Sequence, residues 1–268
     1  MSTLTCTDDM ARIQRALAQC HDMVLRRSRV LEALQLRTGE RVLEVGCGGG
    51  FYAYEAAQCV GPTGRVCAID LSADQITAAQ SRCAELAWVN CRVGDAVTLP
   101  YEGGEFDVVY GVQVFEYVAQ LDTALREVQR VLRPGGRCLI LATNWSSLVW
   151  HSAQPDRMQR VLTAFMAHAP YPDLPASLGV RLRQVSLEPL HQTPVPILNR
   201  SYHVNSVSYW AARLMRPFVV GRQAVSVEEA EAWLQEFDAL EQQGAYFFSI
   251  LSILTEAVKV AWRGAKSN

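Results

Sequence analysis

Between residues 40 and 145, short apolar runs alternate with helical patterns, and this alternation constrains the fold more than any other feature of the chain. Parallel strands can be joined only by a crossover long enough to hold a helix, so the pattern predicts a parallel sheet wrapped by helices. Arg41-Val42-Leu43-Glu44-Val45 reads as a buried first strand, followed by glycines and a helix from Phe51 to about Cys59. Gly61-Pro62-Thr63-Gly64 turns the chain into a second strand, Arg65 to Ile69. Ser72, with Gln75 three residues on, is the signature of a capped helix reaching to about Leu86. Val89 to Val93 and Phe106 to Tyr110 are the third and fourth strands. A helix over Leu121 to Leu132 stops at Arg133-Pro134-Gly135-Gly136, and Arg137 to Ala142 is the fifth strand.

Outside this core the periodicity is helical. Ile13, Leu17, Cys20 and Val24 recur at helical steps within Asp8 to Leu36, and Met158, Val161, Leu162, Phe165 and Met166 share one face of Pro155 to His168. A proline-rich link (Pro170, Pro172, Pro175) leads to a short helix near Leu178 to Leu182 and a strand over Val185 to His191. Helical patches over Ser206 to Met215 and Val227 to Gln243 precede a strongly apolar last strand, Ala245 to Leu254. The expected organisation is an N-terminal helical lid segment (1–37), an α/β core (38–145), and helical insertions with the final strands (146–268).

Charge and cysteine usage exclude several classes. A net charge of −2, with Lys and Arg dispersed, leaves no electrostatic footprint for nucleic acid, and Arg26-Arg27-Ser28-Arg29 reads as a solvated helix face. The eight cysteines contain no C-x-x-C pair, several fill apolar strand positions, and none lies after Cys138, so no metal site is expected and a catalytic thiol from the C-terminal half is excluded. The N-terminus is polar and acidic, unlike a secretory signal. The stretch Ala245 to Trp262 carries Glu256 and Lys259 and falls short of a membrane span. The expectation is a soluble, cytoplasmic protein with no membrane insertion.

The turn after the first strand, Glu44-Val45-Gly46-Cys47-Gly48-Gly49-Gly50, is the chemical anchor. A dinucleotide fingerprint places its third glycine five residues after the first, to admit a close helix beside a pyrophosphate. Here that position is Phe51, and the glycines fall at 46, 48, 49 and 50. Glu44 would repel a pyrophosphate, but it can accept hydrogen bonds from turn N–H groups or reach an ammonium. Asp70 ends the second strand, where a carboxylate can accept from both ribose hydroxyls. Asp95 ends the third, where it can accept from an adenine amine while Ala96 offers its backbone N–H to the ring. Any one carboxylate could serve only as a loop cap; three at successive strand ends, on the ligand side of the sheet, describe a nucleoside site.

These pieces, with Phe106-Asp107-Val108-Val109 and Arg126-Glu127-Val128-Gln129-Arg130-Val131-Leu132-Arg133-Pro134-Gly135-Gly136, resemble class I S-adenosylmethionine-dependent methyltransferases, especially the ubiquinone and menaquinone biosynthesis group. The resemblance covers residues 38 to 145 and implies a Rossmann-like α/β fold: a seven-stranded, mostly parallel sheet whose last strand is antiparallel, with an N-terminal helix and helical lid insertions. It implies S-adenosyl-L-methionine as cofactor, held by Glu44, Gly46, Cys47, Gly48, Asp70, Leu71, Asp95 and Ala96, with Gly111, Val112 and Gln113 at the methionine end. Relatives carry Glu-His-Val where this chain has Glu116-Tyr117-Val118, so the family's histidine does not carry over. A phenol is a poor base at neutral pH, and Tyr117 reads as a wall or hydrogen-bond donor for the acceptor.

The acceptor is chosen outside the core. Trp145, Trp150, Phe165, Tyr171, Tyr202, Tyr209, Trp210 and Phe218 favour a small, apolar or aromatic molecule, although each could equally pack lid helices. His151, soon after the fifth strand, is the candidate base; His191 and His203 are secondary, and His168 reads as structural. Two rival classes remain. A nicotinamide-dependent oxidoreductase would leave Glu44, Phe51 and Asp95 unexplained. A catalytically inactive methyltransferase-like binding protein usually erodes the glycine turn, which is intact here. An arsenite methyltransferase would need thiolates that the C-terminal half lacks.

Overall fold

A computed structural model describes residues 8–260. Its strands are β1 (Arg41–Val45), β2 (Arg65–Asp70), β3 (Val89–Val93), β4 (Phe106–Val112), β5 (Leu132–Trp150), β6 (Leu187–Asn199) and β7 (Phe248–Lys259). They form one sheet in the order β3-β2-β1-β4-β5-β7-β6, mostly parallel with the last strand antiparallel. The helices among the described residues are α1 (Asp8–Gln19), α2 (His21–Leu34), α3 (Phe51–Val60), α4 (Ala73–Arg82), α5 (Leu121–Val131), α6 (Pro155–Met166), α7 (Leu174–Gln184), α8 (Val207–Val219) and α9 (Val227–Gln242), with a single 3-10 turn at Phe115–Tyr117. This is the Rossmann-like architecture that the resemblance implies, and it contains the helix-wrapped parallel sheet that the alternation of elements predicts.

β1 lies between β2 and β4, so Val42 pairs with both Val66 and Val108, and Leu43 with both Cys67 and Val109. All six side chains are buried, because a parallel strand with helices on both faces has no wet side. The order reverses at β1, making the gap between β1 and β4 the topological switch point where ligands of open α/β sheets bind. The C-terminal ends of β1 to β4 bring Gly46, Asp70, Gly94 and Gly111 to that edge.

The chain divides into two compact units. One comprises Arg29–Ala142, Leu174–Pro194 and the chain from Ile253, and holds β1 to β4. The other comprises the chain up to Ser28, Thr143–Asp173 and Val195–Ser252. Its core is aromatic: Trp150 stacks on Phe237 (4.6 Å, 8° between planes), meets Trp233 edge-on at 5.5 Å, and donates its indole N–H to the Tyr246 hydroxyl at 3.0 Å. α9 enters that core behind a capping box in which Ser226 and Glu229 exchange hydrogen bonds.

Several boundaries differ from the sequence expectation. The helical stretch Asp8 to Leu36 is two helices, broken at Cys20. β5 continues eight residues past Ala142: Thr143 bonds Ser252 side chain to side chain at 3.1 Å, and Ser147 Oγ accepts the Leu251 N–H at 2.9 Å, so polar residues that resemble a loop are ladder partners of β7. β6 reaches Asn199 through Pro189, Pro194 and Pro196, which an edge strand tolerates because half of its N–H groups have no neighbour to bond. The last strand is shifted to Phe248–Lys259, so most of the apolar stretch near the C-terminus is sheet. Among the described residues, no helix is long and apolar enough to cross a membrane.

Arg137 ties the end of α2 to the sheet. Its guanidinium makes two bonds to Glu40 (2.8 and 2.9 Å) and reaches the Leu34 and Gln35 carbonyls. Burial alone would raise the Glu40 pKa, but the Arg137 hydrogen bonds and charge, with the Arg37 N–H, hold it below the ordinary value. Arg137→Ala should cost about 1–2 kcal/mol at pH 7, lowering Tm by about 3–6 °C. A depressed carboxylate contributes stability above its unfolded pKa and loses it as pH falls through the folded value. The Tm difference between wild type and variant should therefore shrink below about pH 4 in thermal melts.

Candidate functional site

β1 ends in a turn that only glycines can make. Gly46, Gly48 and Gly50 have φ of +73°, +49° and +76°, in the left-handed region. The Gly46 and Cys47 N–H groups both donate to the Ile69 carbonyl at 2.8 Å, and the Gly50 N–H donates to Cys47 O at 3.0 Å. A Cβ on Gly46 would lie 2.2 Å from Val114 Cγ2, so the segment after β4 closes directly over the turn.

Asp70 braces the same turn. Its Oδ2 accepts the Gly48 N–H and its Oδ1 accepts the Ser72 N–H, both at 2.9 Å. Each carboxylate oxygen keeps a second lone pair, so both can still accept a ligand hydroxyl. The Asp70 carbonyl takes the Gly94 N–H at 3.0 Å, which fixes the end of β3 beside it. One residue on, Asp95 closes a tight turn: Oδ1 accepts the Val97 N–H at 3.0 Å, and its backbone bridges to Thr98. Asp95 is exposed and Ala96 buried. Leu71, 71 % exposed, is an apolar side chain left in solvent at the end of β2.

Glu44 is the least ordinary group in the site. It is 1 % exposed, and among the described residues its Oε2 has no hydrogen-bond partner. Burial pushes its pKa well above the usual carboxylate range, with the Tyr110 hydroxyl and the Ala53 N–H pulling the other way and Asp70 adding repulsion. The Tyr110 phenol is pushed up in turn, by burial and then by Glu44. The buried Cys47 thiol is raised by burial, Glu44 and Asp70, which keeps it protonated. On the far side of the switch point, Gly111 pairs with Val45, and Gln113 stands at φ +56° with its N–H on the Leu141 carbonyl (2.7 Å). A non-glycine residue held in that region is a strained position of the kind that collects at ligand sites.

The structure thus brings Glu44, Gly46, Cys47, Gly48 and Asp70 into one cradle, with Gly94-Asp95 bonded to its rim. Tyr117, 39 % exposed, sits in the 3-10 turn after β4. In the other unit His151 is exposed, its backbone N–H on the Phe247 carbonyl. His191 and His203 are also exposed, and His203 Nδ1 accepts the Asn205 N–H. His168 is stacked on Phe165 at 3.9 Å, and burial lowers its pKa to about 4 despite a hydrogen bond to the Phe165 carbonyl. Sequence reasoning missed Val114 and Arg82, which pack or bond against the turn from 68 and 33 residues away from their partners. Contacts that distant leave no local pattern to read.

Residues 43–140 match the family described as "Methyltransferase domain". Over 122 residues, 46 % of this chain, the sequence is 41 % identical to an uncharacterised 37.1 kDa protein of a Streptomyces fradiae transposon (35 % of that protein) and 35 % identical to the demethylmenaquinone methyltransferase of Staphylococcus aureus (51 % of that protein). The match therefore spans about half or less of these relatives' length. Among solved structures, a candidate methyltransferase of Bacillus halodurans superposes with a TM-score of 0.63 at 18 % identity, covering 88 % of this chain and 99 % of that one. The [4+2]-cyclase SpnF superposes at 0.58 and 24 % identity, covering 90 % and 82 %. Residues 43–140 are therefore similar to a methyltransferase domain.

Within these residues the raised Glu44 pKa has a measurable consequence. A carboxyl whose folded pKa lies above its unfolded value (about 4.3) contributes stability below that value and loses it as pH rises through the folded pKa. Wild type should lose stability over this window by up to about 1.4 kcal/mol per pH unit from this group. Glu44→Gln, neutral throughout, should remove that slope and be the more stable protein at pH 8, as read from urea unfolding between pH 5 and 8.5.

Proposed function

We propose that the chain transfers a methyl group from S-adenosyl-L-methionine to a small organic acceptor. The observation that carries this reading is the buried Glu44 oxygen that has no partner among the described residues, set by a glycine turn whose other carboxylate, Asp70, retains acceptor capacity on both oxygens. The cradle is lined by acids, which suits a ligand bearing an ammonium and a sulfonium and opposes a pyrophosphate.

When bound, this cofactor supplies a methyl group already activated on positive sulfur. The protein's part is alignment, exclusion of water and removal of at most one proton. Asp70 would hold the ribose hydroxyls, Leu71 would cover one face of the base, and Asp95 with the Ala96 N–H would bond its edge. Glu44, with Gly46, Cys47 and Gly48, would hold the methionine end together with Gly111, Val112 and Gln113. Residues 38–145 would form the cofactor core, with 1–37 and 146–268 choosing the acceptor. His151, an exposed imidazole, is proposed as the base and Tyr117 as a contact of the acceptor; the half-buried rings of Trp145, Tyr171, Tyr209 and Trp210 favour an apolar or aromatic acceptor. Cytoplasmic location and a free small-molecule substrate are part of this proposal. Tyr117, in the place of the family's histidine, favours one second reading: a protein that binds the cofactor without transferring its methyl group.

Calorimetric titration tests the donor. Wild type should bind S-adenosyl-L-methionine and show no heat with NAD, and Asp70→Ala should weaken binding about 10- to 100-fold. An ammonium beside Glu44 favours its carboxylate, so binding should release a proton and strengthen as pH rises towards the raised Glu44 pKa. Binding of NAD with no signal from S-adenosyl-L-methionine would overturn the proposal. Incubation with labelled cofactor and a panel of phenols and quinols separates transfer from binding alone.

A further inference from the structure

Three consecutive glycines give the turn no side chains of its own to hold it, so its shape must be fixed from outside. α4 does this at both of its ends. Just before α4, Asp70 takes the Gly48 N–H. Along α4, the Gly50 backbone approaches Ala79 so closely that a Cβ on Gly50 would stand 2.8 Å from Ala79 Cα. At its last residue, Arg82 donates Nε–H to the Gly49 carbonyl at 2.8 Å, and its guanidinium carbon lies 3.5 Å from the centroid of the Phe51 ring. Phe51 is the first residue of α3 and occupies the position where a dinucleotide turn would carry its third glycine.

The bond to Gly49 matters because of which peptide it grips. The Gly49 C=O and the Gly50 N–H belong to one rigid plane. The N–H end is on Cys47 O at 3.0 Å, and the C=O end is on Arg82. With glycine on both sides, that plane can rotate at little steric cost, and rotation would break both bonds and turn a carbonyl where an N–H now stands. The flat guanidinium, seated on the Phe51 ring, is held in position to make its bond, which a flexible ammonium would do less well.

We propose that Arg82 is a positioning residue that locks the Gly49–Gly50 peptide of the cofactor cradle in its binding orientation, with Phe51 as the platform that aims it. This rests on the reading of the cradle as an S-adenosyl-L-methionine site. Arg82 acts through the turn and need not touch the ligand.

The test uses the full chain, with S-adenosyl-L-methionine as the probe in calorimetric titration and amide hydrogen exchange of residues 46–54 measured without ligand. Arg82→Met should raise Kd about tenfold and speed exchange at Gly50, while the urea midpoint stays near that of wild type. Arg82→Lys should recover part of the affinity, and Phe51→Leu, which keeps the hydrogen bond, should weaken binding about threefold. Should Arg82→Met fail to fold, the lysine and Phe51 variants carry the same comparison. Wild-type affinity and Gly50 exchange in the Arg82 variants would overturn the lock while leaving the cofactor reading intact. Wild type that gives no titration would overturn the cofactor reading and the lock's role in binding together.

Discussion

A Cβ on Gly50 would meet Ala79 at 2.8 Å, one on Gly46 would meet Val114 at 2.2 Å, and one on Gly111 would meet the Phe115 ring at 2.6 Å. These contacts lie around the switch point of the sheet, and each is a place where one element can approach another only because a side chain is missing. The first seats α4 against the start of α3, the second lets the segment after β4 close over the turn, and the third fits the 3-10 turn against the end of β4. An alanine at Gly46 or Gly50 would also be strained in φ, so these positions answer to conformation and to space at once. The cradle is in this sense a packing solution first, and its hydrogen bonds finish what the close approaches begin.

The carboxylates show what such a site adds to packing. In the other unit Glu236 is also well buried, yet it takes bonds from Ser152, the Ala153 N–H and Arg157, so its charge is answered from several sides. Among the described residues, one Glu44 oxygen has no hydrogen-bond partner. A buried acid left in that state costs stability, and proteins keep such groups chiefly where a ligand completes them. The contrast separates a structural carboxylate from a candidate functional one on solvation alone.

The core was legible in the sequence because its information is local. Strand periodicity, the Ser72 cap with Gln75, the Pro-Gly stop after α5 and the glycine turn each declare themselves within a few residues, and the strand-end positions of Asp70 and Asp95 follow from them. The long extension of β5 was not legible, since Thr143 and Ser147 look like loop residues until β7 is placed beside them. Pro194 and Pro196 concealed the far part of β6, beyond the expected Val185 to His191, for a similar reason: only its place at the sheet edge makes them acceptable. Arg82 and Val114 act through partners that topology alone brings near.

The same distinction sorts the aromatic residues beyond the core. Trp150, Phe165, Tyr202 and Phe218 belong to the packed hydrophobic centre of their unit, where ring-to-ring contacts account for them. Trp145, Tyr171, Tyr209 and Trp210 keep a partly accessible face and are the ones with surface to offer a ligand. Histidine sorts likewise. His168, with a pKa near 4 imposed by burial, is neutral at physiological pH but too weakly basic to take a proton well in that range. His151, His191 and His203 are exposed to solvent, and His168 is not.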